Sequence, residues 1–343
     1  MNSTPSSGGT DSVPCRIVSP DPAGTLSLTI AYAVVFIVAL FGNCAIILIA
    51  KTKRRIRKVA FNCFIISMAT ADMLDALISV PLQVMYFYFN DRWFGGLLGD
   101  ITCKVVHFLD HLSLAASVFT LAAISVDRHL AIVHVLREPL SKRKVKLAVV
   151  SLWMFAAIMM STYLIKFKSR VIEGRYHCFG SWDIDNEQNL KKFQFEIVTK
   201  FVLMYVIPLF LMAILYSLII RVLKKRQVLG ENMSQIRIQR QNVTVIKMVV
   251  TVVLLFAFCW IPSHVFLMMV AFDYNTILCW PMSLILWFKM PAHANGAINP
   301  CIYFIFNENF RKGLKDLIIR CRRKAGKRVP TKKIKQWPWI LNS

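Results

Sequence analysis

Acidic residues are scarce in this sequence. Its 343 residues include 18 Asp and Glu against 42 Lys and Arg, and only 17% of the chain is charged. From 232 to 272 there is no acid at all. The spacings that carry catalysis are also missing. There is no metal-ligand spacing, no nucleophile–base arrangement and no phosphate-binding loop, so enzymatic chemistry is not expected. No internal repeat or continuous line of intramembrane charge is present, which opposes a channel or transporter. The first 27 residues are polar and lack a basic stretch followed by an apolar core, so no cleavable signal peptide is expected. Beyond residue 325 the hydroxyls are few, Thr331 and Ser343, which lends little support to a phosphate-coded tail.

Apolar length is abundant. Hydrophobic residues make up 56% of the chain and its mean hydropathy is +0.53, too apolar for most soluble proteins of this size. Runs near 28–50, 60–88, 103–133, 145–165, 197–222, 244–272 and 280–306 are each long enough to cross a bilayer as a helix. Helices satisfy their own backbone hydrogen bonds, so an all-α membrane protein with seven spanning helices is expected. The segments 51–58, 128–146, 221–247 and 311–335 hold 6, 6, 7 and 12 of the basic residues. Under the positive-inside rule these lie in the cytoplasm and the N-terminus lies outside. A basic inner face against anionic lipid accounts for the net charge of +24 without nucleic acid. The expected order is an extracellular segment 1–27, a bundle 28–306, an amphipathic eighth helix 307–321 and a basic tail 322–343.

The stretch from Cys103 to Leu140 organises the chain. Asp110 and Arg128 are 18 residues apart, five helical turns, and so share one face about 27 Å apart. Ionised groups at both ends of an apolar helix are costly unless they face a bundle interior. Asp72, in the second span, needs a partner, a proton or an ion. Ser113, Ser117, Asn295 and Asn299 are candidate neighbours, and such an oxygen set suits a hard monovalent cation or, alternatively, a protonated carboxyl in a polar cluster. Pro262 in the sixth span and Asn299-Pro300 in the seventh remove backbone bonds and mark pivots. The loop 166–192 reads as a β-hairpin turning at Glu173-Gly174. Asn2 heads a glycosylation sequon, Cys15 and Cys279 are candidates for an outer bridge, and Cys321 for palmitoylation.

These residues resemble a rhodopsin-like (class A) G-protein-coupled receptor. The likeness covers about residues 28–321. It rests on Gly42-Asn43, Ala69-Thr-Ala-Asp72, Trp93, Cys103, Asp127-Arg128-His129, Trp153, Cys178, Pro208, Tyr216, Cys259-Trp-Ile-Pro262 and Asn299-Pro-Cys-Ile-Tyr303. It implies a Cys103–Cys178 disulfide and an allosteric sodium ion at Asp72, Ser113, Ser117, Asn295 and Asn299. It also implies a switch made of Asp127, Arg128, Tyr216, Phe256, Trp260, Pro262, Asn299, Pro300 and Tyr303. Arg128 and Leu136 would contact a heterotrimeric G protein, with arrestin a further candidate partner. His129, Val135 and Tyr163 depart from the common pattern. The lack of acid from 232 to 272 removes the salt bridge that ties Arg128 to the sixth helix in some relatives.

Asp110 faces the ligand pocket in such a fold. Amine receptors place hydroxyls on the fifth helix, whereas this chain has Lys200, Phe201 and Met204 there. Asp110 with His264 is closer to opioid- and somatostatin-type peptide receptors. Lys289, His293 and Trp260 complete the expected pocket, and a peptide bearing both a cation and an anion would suit it. An Asp110–Lys289 bridge that closes the site, an amine ligand, and a constitutively active orphan receptor are the alternatives.

Overall fold

The computed structural model describes residues 22–53, 60–89, 92–134, 140–182, 186–227, 233–273, 276 and 280–324. Seven long helices form the bundle. They are α1 (Pro22–Thr52), α2 (Asn62–Phe89), α3 (Gly96–Val133), α4 (Lys142–Met160, continued by the turn Thr162–Lys166), α5, α6 (Met233–Phe272) and α7 (Met282–Phe306). An amphipathic α8 (Glu308–Lys324) follows. α5 is continuous through three pieces, Asn186–Phe201, the π-helical Val202–Val206, and Ile207–Gln227. The widened turn sits directly before Pro208. A proline has no N–H for the ladder, and the Ile207 N–H reaches back five residues to the Val202 carbonyl instead.

Six of these helices are long and apolar enough to cross a membrane. α7 falls short on apolarity because it carries Lys289, His293, Asn295 and Asn299. His293, Asn295 and Asn299 are buried, so the polarity faces inward, and tertiary packing rather than hydropathy makes it the seventh spanning helix. The bundle is polar inside and apolar outside. Asn43, Asp72, Asp75, Ser79, Gln83 and Asp110 are buried, whereas Phe41, Ile158, Phe210 and Phe258 are each about two-thirds exposed. That arrangement suits a hydrocarbon solvent.

Two glycines let helices approach closely. A Cβ on Gly42 of α1 would meet Pro300 of α7 at 2.9 Å, and one on Gly313 of α8 would clash with Ile49 of α1. α8 is further tied down by buried Phe310 and by an ion pair between Lys53 and Asp316, which holds the Asp316 carboxyl below the usual carboxylate range. The expected loop hairpin is present as β1 (Phe167–Ile172) and β2 (Arg175–Gly180). Its turn residues Glu173 and Gly174 have φ of 50° and 75°, the paired positive values of a type I′ turn. Cys103 of α3 and Cys178 of β2 form the expected disulfide, holding the hairpin over the bundle. Cys321 is exposed near the end of α8. Asn2, Cys15, Leu136 and Cys279 lie outside the described residues.

Candidate functional site

A cavity of about 170 Å³ opens among α3, α5, α6 and α7. Asp110, Lys200, Trp260, His264, Lys289 and His293, all six expected pocket residues, line it. Each faces inward for a local reason. On α3 one polar stripe reads His107, Asp110, Ser113 and Ser117, and its first three members are buried at helical spacing. On α6 the pair Trp260 and His264 is one turn apart, with ring centroids 5.6 Å from each other, and Tyr205 and Phe201 of α5 pack on His264.

Asp110 is buried. Its Oδ2 lies 3.3 Å from His111 Nδ1, while its Oδ1 has no hydrogen-bond partner. Ser79 Oγ lies near it yet also lacks a hydrogen bond. The alternative in which Lys289 closes the site is not seen; among the described residues Asp110 makes no ion pair with Lys289, whose ammonium lies 5.9 Å from the Phe266 ring. One carboxylate oxygen of this cavity-lining residue is therefore buried and unsatisfied, and Lys289, which lines the same cavity, does not neutralise it directly.

Lys200 is not the free cation the sequence suggested. It pairs with Glu196 one turn earlier and lies 3.7 Å from the Tyr163 ring. Glu196 also accepts from Lys166 Nζ through both oxygens at 2.7 Å, and from Trp182 Nε1 at 2.7 Å. All three charged residues are largely buried. This cluster joins the end of α4, the segment after the hairpin and α5 at the cavity wall. Sequence reasoning missed Glu196; its i,i+4 spacing to Lys200 was the available signal.

Trp260 forms the floor. Together with Leu114, Val118, Phe256 and Ala292 it lines both the outer cavity and a smaller one beneath it, of about 20 Å³, enough for one water-sized occupant. The lower cavity brings together Asp72, Ser113, Ser117 and Asn295. Asp72 accepts from Ser117 Oγ at 3.0 Å and from Asn299 Nδ2 at 2.8 Å. Ser113 Oγ donates to the Asp110 carbonyl at 2.6 Å. Asn295 Oδ1 and Asn299 Oδ1 are buried without partners. Acceptor oxygens outnumber donors here, the balance a cation would correct. Asp75, another residue missed from sequence, lines the same cavity and lies 3.2 Å from His293 Nδ1. Its signal was the spacing of three from Asp72, which puts both on one face of α2. Gly296 lets α7 lie against Asp72, where a Cβ would come within 3.3 Å, and Asn43 Nδ2 bonds the Gly296 carbonyl at 3.0 Å.

Toward the other end the switch residues are held apart. Arg128 is paired with Asp127 and stacks 4.1 Å from the Phe61 ring. Tyr216 donates to Ser125 Oγ at 3.1 Å, and Tyr303 to Met68 Sδ at 3.2 Å. Phe256 and Trp260 rings are 5.9 Å apart, and Pro262 and Pro300 lie inside continuous helices. Cys103, His107 and Cys178 lie together, but both sulfurs are spent in the disulfide and leave no thiolate for a metal.

Comparison with known proteins agrees with this geometry. Residues 42–303 match the family described as 7 transmembrane receptor (rhodopsin family). Galanin receptor 2a of Danio rerio is 30% identical over 290 residues, covering 84% of this chain and 77% of that receptor. Tachykinin-like peptides receptor 86C of Drosophila melanogaster is 30% identical over 303 residues, 85% of this chain and 58% of the relative. Neuromedin-K receptor of Homo sapiens is 29% identical over 290 residues, 84% and 60% respectively.

Proposed function

The chain belongs to the rhodopsin family of seven-transmembrane receptors, and from that membership we propose that it is a plasma-membrane receptor for a neuropeptide. Its N-terminus is extracellular, and it activates heterotrimeric G proteins. The observation that carries the peptide reading is Asp110, which lines the cavity together with Lys289 and keeps one buried carboxylate oxygen without a partner. A peptide with a basic group and an acceptor fits both charges, and the likeness to a tachykinin-like peptides receptor supports the same reading. α5 offers Lys200, Phe201 and Met204 to the cavity and no hydroxyl, which speaks against a catecholamine.

Ligand above Trp260 displaces the indole and, through Phe256 and Val118, loosens the packing of α6 on α3. The sixth helix then swings outward about Pro262. Arg128 leaves Asp127 for Tyr216 and Tyr303, and the opened inner cavity takes the C-terminus of the G-protein α subunit. The lower polar site fits a sodium ion held by Asp72, Ser113, Ser117, Asn295 and Asn299, whose unpartnered amide oxygens support that assignment. When bound, the ion supplies a positive charge that favours the closed packing of α7 on α2 and α3. The amide of Asn299 and the hydroxyl of Ser117 hold the Asp72 carboxylate in place.

The test is G-protein activation in cells against a library split into short peptides and biogenic amines. A peptide hit is expected, and Asp110→Asn should lower its potency by about 1.5–3 kcal/mol, the worth of a buried charge-assisted hydrogen bond. An amine hit, or unchanged potency in the variant, overturns the assignment.

A further inference from the structure

Something must hold Arg128 at rest, and α6 has no acid anywhere in its sequence to do so. Asp127 is an incomplete anchor. It is the residue before Arg128 on the same helix, so their ion pair ties α3 to itself and to no neighbour. That pair uses the edge of the guanidinium, whose Nε and Nη2 both donate to Asp127 Oδ2. The flat face is turned elsewhere, with the guanidinium carbon 4.1 Å from the centroid of the Phe61 ring. Phe61 is buried in the turn that opens α2, where the Phe64 N–H donates to its carbonyl at 3.0 Å. It also begins a stripe: positions 61, 65, 68 and 72 are at helical spacing and all buried. Met68 of that stripe accepts from the Tyr303 hydroxyl at 3.2 Å. Arg128 and Tyr303, which meet in the proposed active state, are thus held at rest by two residues on one side of α2.

We propose that Phe61 is the resting anchor of Arg128, supplying by attraction between a cation and a ring face the tie to a second helix that an acid on α6 would otherwise give. The inference rests on the movement of Arg128 and α6 proposed above. An aromatic ring is negative on its face, so a guanidinium laid over it is attracted, and the attraction grows as water is removed. Here the ring is buried and the Arg128 side chain is 18% exposed, so most of the water is gone. Phe61 touches neither cavity and acts only through Arg128, as a positioning residue. Its consequence is that a chain without an acid on α6 still keeps a quiet resting state. Packing alone would make the ring replaceable by any side chain of similar bulk, and that is the difference the test reads.

The experiment uses the full-length purified receptor in detergent, without ligand, and needs no knowledge of what the receptor binds. Spin labels go on Lys146→Cys of α4 and Lys247→Cys of α6, both exposed, in a Cys301→Ser/Cys321→Ser background, and pulsed electron resonance reads the distance between them. A short distance should dominate in the parent. Phe61→Leu keeps apolar bulk but loses the ring, and should raise the long-distance population by about five- to thirtyfold. Replacing Phe61 by pentafluorophenylalanine keeps the ring's shape and reverses the charge of its face, so it should raise that population at least as much. That near-isosteric change covers the case in which Phe61→Leu fails to fold. Phe61→Tyr keeps the face and should stay within about twofold of the parent. A rise with Phe61→Leu but none with the fluorinated ring would mean packing alone and overturn the anchor. So would an equal rise with Phe61→Tyr, or a parent already at the long distance. The same samples are measured with nucleotide-free G protein added. A long distance in the parent only then, with no response to the Phe61 changes, overturns the anchor alone; one short distance in every sample overturns the movement of α6 as well.

Discussion

Removing the Glu196 carboxylate is the sharpest test of how the outer half of the bundle is held. Glu196 and Lys166 side chains are each 7% exposed and Lys200 is 17% exposed, so the cluster is almost fully withdrawn from solvent. Glu196→Gln keeps the shape and can still accept from Trp182, but it leaves two buried ammonium groups facing each other. Breaking a buried pair by deleting one partner costs about 3–5 kcal/mol, mostly from the uncompensated charge left behind. At about 2–4 °C per kcal/mol for chains of 150–250 residues, the midpoint should fall by roughly 6–20 °C. The assay is thermal unfolding of the detergent-solubilised receptor with a thiol-reactive dye, both proteins scanned at one rate because unfolding of such proteins is irreversible. A triple replacement, Lys166→Met/Glu196→Leu/Lys200→Met, removes all three charges and should recover most of the loss. A midpoint within about 2 °C of the parent for Glu196→Gln would refute the reasoning, since it would mean water reaches the cluster.

Three further outcomes are expected. Asp72→Asn should abolish the sodium dependence of agonist affinity, read as radioligand competition with and without sodium chloride; retained dependence would place the ion elsewhere. Gly313→Leu, which drives a side chain into Ile49, should release α8 from α1 and raise protease cleavage between Phe306 and Lys324; an unchanged digestion pattern would show that α8 can shift without cost. Cys178→Ser should lower surface expression strongly, because the Cys103–Cys178 bridge closes a loop of 75 residues, worth up to about 4 kcal/mol in chain entropy. Normal surface levels with normal ligand affinity would contradict that.

How much of this was legible in the sequence depends on how local the physics is. Spanning lengths, the hairpin at Glu173-Gly174 and the inward stripe on α3 follow from periods of 3.6 and 2 along one segment. The π turn before Pro208 does not; a proline announces a lost hydrogen bond but not which way the helix yields. Lys200 shows the limit more clearly. From sequence it was a cation beside Phe201 and Met204 in a pocket. Its pairing with Glu196 is local, one helical turn away, but that the same carboxylate also takes Lys166, 30 residues earlier, needs α4 and α5 to meet. Asp75 was overshadowed by Asp72, although only the packing of α7 decides that one bonds Asn299 and the other His293. α7 is a different case, a span legible from the length of the run 280–306, whose polar groups prove to be the interior.

The buried acids then single out one of their number. Asp72, Asp75, Asp110, Asp127 and Glu196 are the acidic residues buried among the described residues. Burial is tolerable only where each finds a cation or donors. Asp127 has Arg128, Glu196 has two lysines and Trp182, Asp75 has His293, and Asp72 has Ser117 and Asn299. Among these acids Asp110 alone keeps a fully buried carboxylate oxygen with no partner, and it is the one that lines the outer cavity. On the function proposed above, a cationic group on the ligand would supply the missing half, and the cost of leaving Asp110 unsatisfied would become part of the selectivity for such a ligand.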